Sequence, residues 1–139
     1  MTTSHVEHIG IAVKNLQESI QLYEHILGVP CYTVEEIPDQ KVRTAFFKIG
    51  QTKIELLESS DPEGPVSKFI EKKGEGVHHI AFAVENLADA LKEVEANGFQ
   101  FIDKQPRQGA EGLNIVFLHP KSTGGVLLEL CEDPSIKKG

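Results

Sequence analysis

Two periods run through the apolar positions of this chain. Apolar residues run or alternate as in β-strands around His8 and then over about 31–37, 41–49 and 52–58, and again around His79 and then over about 99–103, 113–118 and 125–131. Between the first two stretches of each series the period lengthens. Leu16, Ile20 and Tyr23, and later Leu87, Leu91 and Val94, have the spacing that puts them on one face of a helix. Asn15 and Asn86 stand where a side chain can cap each helix, with Glu18 or Asp89 three residues on, and Gly28 and Gly98 are placed to end them.

The two series are copies. His-Ile-Gly-Ile-Ala-Val-Lys-Asn-Leu (8–16) matches His-Ile-Ala-Phe-Ala-Val-Glu-Asn-Leu (79–87) at six of nine positions, and the helical positions that follow also coincide. Each copy reads βαβββ, about 5–58 and about 76–132. The linker, about 59–74, opens on the turn residues Ser59-Ser60-Asp61-Pro62-Glu63-Gly64-Pro65 and continues as a short helix over 66–73 ending at Gly74. A four-stranded half-sheet must hide one face and cover its edges. The expectation is therefore a single α+β domain over 1–139, with two βαβββ modules packed into one curved mixed sheet that encloses a cleft.

Composition narrows the class without naming a chemistry. A chain of 139 residues with 40% hydrophobic and 25% charged residues suits a globular domain with its own core. No apolar stretch has the length to cross a bilayer and the N-terminus lacks the pattern of a secretory leader, so a cytoplasmic protein that engages no membrane is expected. Cys31 and Cys131 lie in apolar, strand-like settings without CxxC spacing, which favours buried free thiols. A formal charge of −7 argues against nucleic acid as a partner. An anionic ligand would need a local basic patch drawn from Lys41, Arg43, Lys72, Lys73, Lys104, Arg107 and Lys121.

The candidate chemistry comes from placing polar residues on the repeat. Each copy has a histidine in its first strand and a glutamate in its last: His8 with Glu55, and His79 with Glu129. Their neighbours are apolar, and a carboxylate in such a strand is costly unless it is paired or bound to a cation. A lone strand histidine is more often hydrogen-bonded or at the surface, but four residues at matched repeat positions favour a metal site. Two imidazoles and two carboxylates suit one divalent ion, with zinc, cobalt, nickel, manganese and iron all compatible. His5 and His25 read as surface residues, His78 points to the strand face opposite His79, and His119 lies in a turn.

Three segments carry a family resemblance: His8-Ile9-Gly10-Ile11-Ala12-Val13, Gly76-Val77-His78-His79-Ile80-Ala81-Phe82, and His119-Pro120-Lys121-Ser122-Thr123-Gly124-Gly125-Val126-Leu127-Leu128-Glu129-Leu130. From about Val6 to Glu132 the chain resembles the vicinal-oxygen-chelate superfamily, whose members pair βαβββ modules around a metal. Within it the His-Pro-Lys-Ser turn and the doubled histidine are similar to those of the methylmalonyl-CoA epimerases. The resemblance implies metal ligation by His8, Glu55, His79 and Glu129, and an acyl-CoA substrate epimerised at its α-carbon by two-faced proton transfer through a metal-stabilised enolate. Glu129 and Glu55 would act as bases, with Lys121, Ser122 and His119 as substrate contacts. Extended sheet edges, independently of the resemblance, favour a homodimer. Two positions depart from that pattern: Glu55 stands where those epimerases often have Gln, and Thr44 where some place a catalytic Glu. The alternatives are a lactoylglutathione lyase (glyoxalase I) and a non-catalytic binding protein of the same fold.

Overall fold

A computed structural model describes residues 2–103 and 105–136, so Lys104 of the basic set lies outside the described residues. The elements run β1 (Thr3–Ala12), α1 (Leu16–Leu27), β2 (Thr33–Ile37), β3 (Val42–Ile49), β4 (Thr52–Ser59), α2 (Pro65–Lys73), β5 (Gly76–Val84), α3 (Leu87–Ala96), β6 (Arg107–Gln108), β7 (Asn114–Leu118) and β8 (Leu128–Glu132). The expected α+β class with two βαβββ modules is what forms. The chain divides into two compact units, one comprising His8–His78 and the other Met1–Glu7 with His79–Gly139.

In the first unit β2 pairs antiparallel with β3, β3 antiparallel with β4, and β4 parallel with β1. In the second, β6 pairs antiparallel with β7, β7 antiparallel with β8, and β8 parallel with β5. Mixed pairing is forced by the connections: the helix carries the chain away from the first strand, and the last strand returns beside it in the same direction.

The helices form where the caps predict. The side chains of Asn15 and Asn86 accept the backbone N–H of Glu18 and Asp89, both at 3.0 Å. Gly28 closes α1 in the left-handed conformation, at φ 70°. Helix α3 ends one residue before the glycine expected to stop it: Asn97 is the cap, and Gly98 follows at φ 85°.

In each unit one face of the strands is covered by the helix that follows the first strand. Leu16 packs with Ala45, Phe47 and Leu56 in the first unit, and Leu87, Ala90 and Val94 pack with Val116, Leu118 and Leu130 in the second. On the other face of the first unit, Ala12, Val42 and Leu57 meet Val66 of α2. Its counterpart in the second unit gathers Ala81, Leu113, Ile115, Phe117 and Cys131.

Two expected strands are corrected. The stretch 99–103 forms only a single bridge, Phe101 to Leu118, and the paired strand before β7 is β6 instead. Ile102 donates to the Phe117 carbonyl at 2.9 Å, but the Phe117 N–H goes to the Asp103 carboxylate at 3.0 Å. A side chain has replaced the backbone partner, and the ladder stops. The stretch 125–131 becomes Leu128–Glu132 because Gly124 and Gly125 have φ 74° and 98°, which turn the chain before a strand can start. Cys131 is buried and Cys31 half-buried, both as free thiols. No helix among the described residues is long and apolar enough to cross a membrane.

Phe47 is fully buried beneath α1. Phe47→Ala is expected to lower unfolding stability by about 3–5 kcal/mol, read from urea titration. A loss below about 1 kcal/mol would mean that this face is not the core described.

Candidate functional site

The parallel register sets the site. Glu55 of β4 lies opposite Gly10 of β1, two residues beyond His8, and Glu129 of β8 lies opposite Ala81 of β5, two residues beyond His79. Side chains two apart on a strand share a face, so in each unit histidine and glutamate emerge on the same side of the sheet. The antiparallel neighbour repeats the correspondence, with Phe46 opposite Glu55 and Phe117 opposite Glu129. Two copies of the sequence have folded into two copies of one local geometry.

All four polar residues are withdrawn from water. His8 and His79 are each 4% exposed, Glu55 6% and Glu129 3%. Within the first unit His8 Nε2 lies 3.5 Å from a Glu55 carboxylate oxygen, and within the second His79 Nε2 lies 3.4 Å from a Glu129 oxygen. These separations exceed the about 2.7–2.9 Å of a charge-assisted hydrogen bond. They match a different arrangement: two donors about 2.1 Å from one ion, at a tetrahedral angle, sit about 3.4 Å from each other. The donor chemistry and the spacing therefore both fit a divalent metal. Phe117 presents an edge contact to the His79 ring, with centroids 5.4 Å apart, which fixes the plane of the imidazole.

The other sequence-selected residues fall in different places. Lys121 is exposed, whereas Ser122 and His119 are half-buried and engaged with their own loop. His119 Nδ1 accepts the Lys121 N–H at 3.1 Å, and Ser122 Oγ accepts the Gln100 N–H at 2.9 Å. Thr44 is completely buried, and its hydroxyl donates to the Glu35 carbonyl at 3.2 Å. His25 is exposed, as expected, while His5 is half-buried against Ser4. His78 meets the Phe69 ring of α2 edge-on, with centroids 4.9 Å apart.

Sequence reasoning missed the phenylalanines flanking each glutamate, although Phe46 and Phe117 occupy matched repeat positions. It also missed Glu7, which is buried beside His8 in β1. Its apolar neighbours Val6 and Ile9 were the available signal.

The chain is similar to known proteins over most of its length. A family model described as the Glyoxalase/Bleomycin resistance protein/Dioxygenase superfamily matches residues 7–117. The mitochondrial methylmalonyl-CoA epimerase of Dictyostelium discoideum is 39% identical over 128 residues, covering 91% of this chain and 77% of that protein. The ethylmalonyl-CoA/methylmalonyl-CoA epimerase of Cereibacter sphaeroides is 34% identical over 127 residues, 90% of this chain and 95% of that protein. Among solved structures, a variant of the Streptomyces coelicolor methylmalonyl-CoA epimerase in complex with 2-nitronate-propionyl-CoA superposes with a TM-score of 0.94 at 33% identity, covering 99% of this chain and all (100%) of that one.

Burial lowers the His78 pKa from 6.5 to about 4. The unfolded chain therefore takes up a proton at this residue that the folded chain refuses, and stability falls as pH drops from about 6.5 toward 4. Urea midpoints of wild type and His78→Gln across that window are expected to diverge, with the variant showing the shallower pH slope. Equal slopes would mean that His78 titrates alike in both states.

Proposed function

Because this chain belongs to the Glyoxalase/Bleomycin resistance protein/Dioxygenase superfamily, we propose that it is a methylmalonyl-CoA epimerase holding one divalent metal ion through His8, Glu55, His79 and Glu129. The observation that carries this reading is the twice-repeated buried histidine–glutamate pair, spaced at 3.5 and 3.4 Å as two ligands of one ion would be. Two imidazoles and two carboxylates suit zinc, cobalt, nickel or manganese. The epimerase relatives, matched over nine-tenths of the chain, support the substrate class.

The reaction requires a proton to leave one face of a carbon flanked by a thioester and a carboxylate, and a proton to return on the other. When bound, the ion supplies positive charge that offsets the negative charge developing on the thioester oxygen. The remaining work falls to side chains. Glu129 as the carboxylate takes the proton on one face while Glu55 as the neutral acid returns its own on the other, each brought from its own unit, and exchange with solvent or the reverse reaction restores the starting protonation states. The apolar surroundings, with Phe46 and Phe117 beside the two carboxylates, keep bulk water from the carbanion-like carbon. Lys121, exposed on its loop, meets the anionic part of the acyl-CoA, while His119 and Ser122 hold that loop in shape.

Deuterium incorporation at the α-carbon of methylmalonyl-CoA is expected in deuterated water with metal-loaded protein, and is expected to stop on addition of a chelator. Glu129→Gln and Glu55→Gln should each lower epimer interconversion by about a hundredfold or more. Exchange that survives complete metal removal would overturn the metal assignment. Wild-type interconversion by Glu55→Gln would overturn the two-base assignment.

A further inference from the structure

Each glutamate proposed as a ligand is followed three residues later on its strand by another: Glu58 after Glu55, and Glu132 after Glu129. An odd spacing sends this second side chain to the opposite, helix-covered face. There it performs the same task in both units. Glu58 Oε2 accepts the backbone N–H of Leu16 at 2.8 Å, and Glu132 Oε1 accepts that of Leu87 at 2.6 Å.

Leu16 and Leu87 are the first residues of α1 and α3, whose opening amides have no partner within the helix. These helices follow directly from β1 and β5, the strands that carry His8 and His79. The end of each histidine strand is thus tied, through a helix N-terminus, to the end of the glutamate strand beside it. A parallel ladder also joins those two strands, and parallel pairing is slightly the weaker kind. Sliding of one strand along the other would change the histidine–glutamate spacing directly. The Arg43 guanidinium also binds Glu58, whose side chain is 16% exposed.

We infer that Glu58 and Glu132 are positioning residues, which set the spacing of the donor pairs by clamping the two ligand-bearing strands of each unit to a shared helix terminus. The inference rests on the metal reading above.

The test is titration of Co(II) into metal-free protein, followed by the visible absorption of the bound ion and, separately, by thermal unfolding. Glu132→Ala is expected to bind Co(II) about tenfold more weakly with an altered absorption band. Glu132→Gln, whose amide oxygen can accept the same N–H, should restore both. Should Glu132→Ala fail to fold, Glu132→Asp withdraws the oxygen by one methylene and is expected to show the same weakening to a smaller degree. Wild-type affinity and spectrum in the Ala or Asp variant, even with a lowered Tm, would overturn the inference and leave Glu132 a purely structural cap. Absence of Co(II) uptake by the wild-type chain would instead overturn the metal reading, and this inference with it.

Discussion

The arrangement depends on the parallel pairing of the first and last strand in each unit. That pairing sets a glutamate opposite the second residue beyond a histidine, as Gly10 opposite Glu55 and Ala81 opposite Glu129. A slip of one residue in either ladder would turn the carboxylate to the helix-covered face, where Leu56 or Leu130 now packs. The histidine–glutamate spacing and the core packing are therefore specified by the same register. The apolar residues hold that register in place, and the polar residues exploit it.

Much of this was legible in the sequence because duplication wrote it twice. The matching segments at His8 and His79 identified strands and helices together, and the capping asparagines fixed where each helix begins. Glu55 and Glu129 stood out because a carboxylate amid strand-like apolar residues asks for an explanation. What the sequence concealed was decided by contacts distant along the chain. Asp103 interrupts a ladder by capturing the Phe117 N–H, and no local propensity announces a side chain that substitutes for a backbone partner. Glu7 was hidden for another reason: beside His8 it reads as the solvent-facing member of an alternating strand, yet it is buried.

The two units share a plan but differ in what surrounds the donors. Phe69 packs edge-on against His78, next to His79 in sequence, and the burial that results holds His78 neutral through the physiological range. Adjacent histidines thus have separate duties, one packed as a neutral aromatic and the other turned toward a carboxylate. Thr44 is likewise closed off, since its hydroxyl serves the Glu35 carbonyl on the neighbouring strand. On the ligand face this leaves Glu55 and Glu129 as the buried carboxylates of their respective strands, which concentrates the proposed acid–base work on them.

One difference between the copies lies in the connection leading into the last strand. In the first unit it is the tight turn at Gly50 and Gln51. In the second it is a longer excursion from Leu118 to Leu128 that winds a 3-10 turn at Pro120–Ser122 and is laced to Gln100 through Ser122. Both connections deliver a glutamate opposite a phenylalanine, so the added length is absorbed outside the ladder. The length and internal contacts of that excursion can therefore vary without disturbing the histidine–glutamate spacing of the ladder.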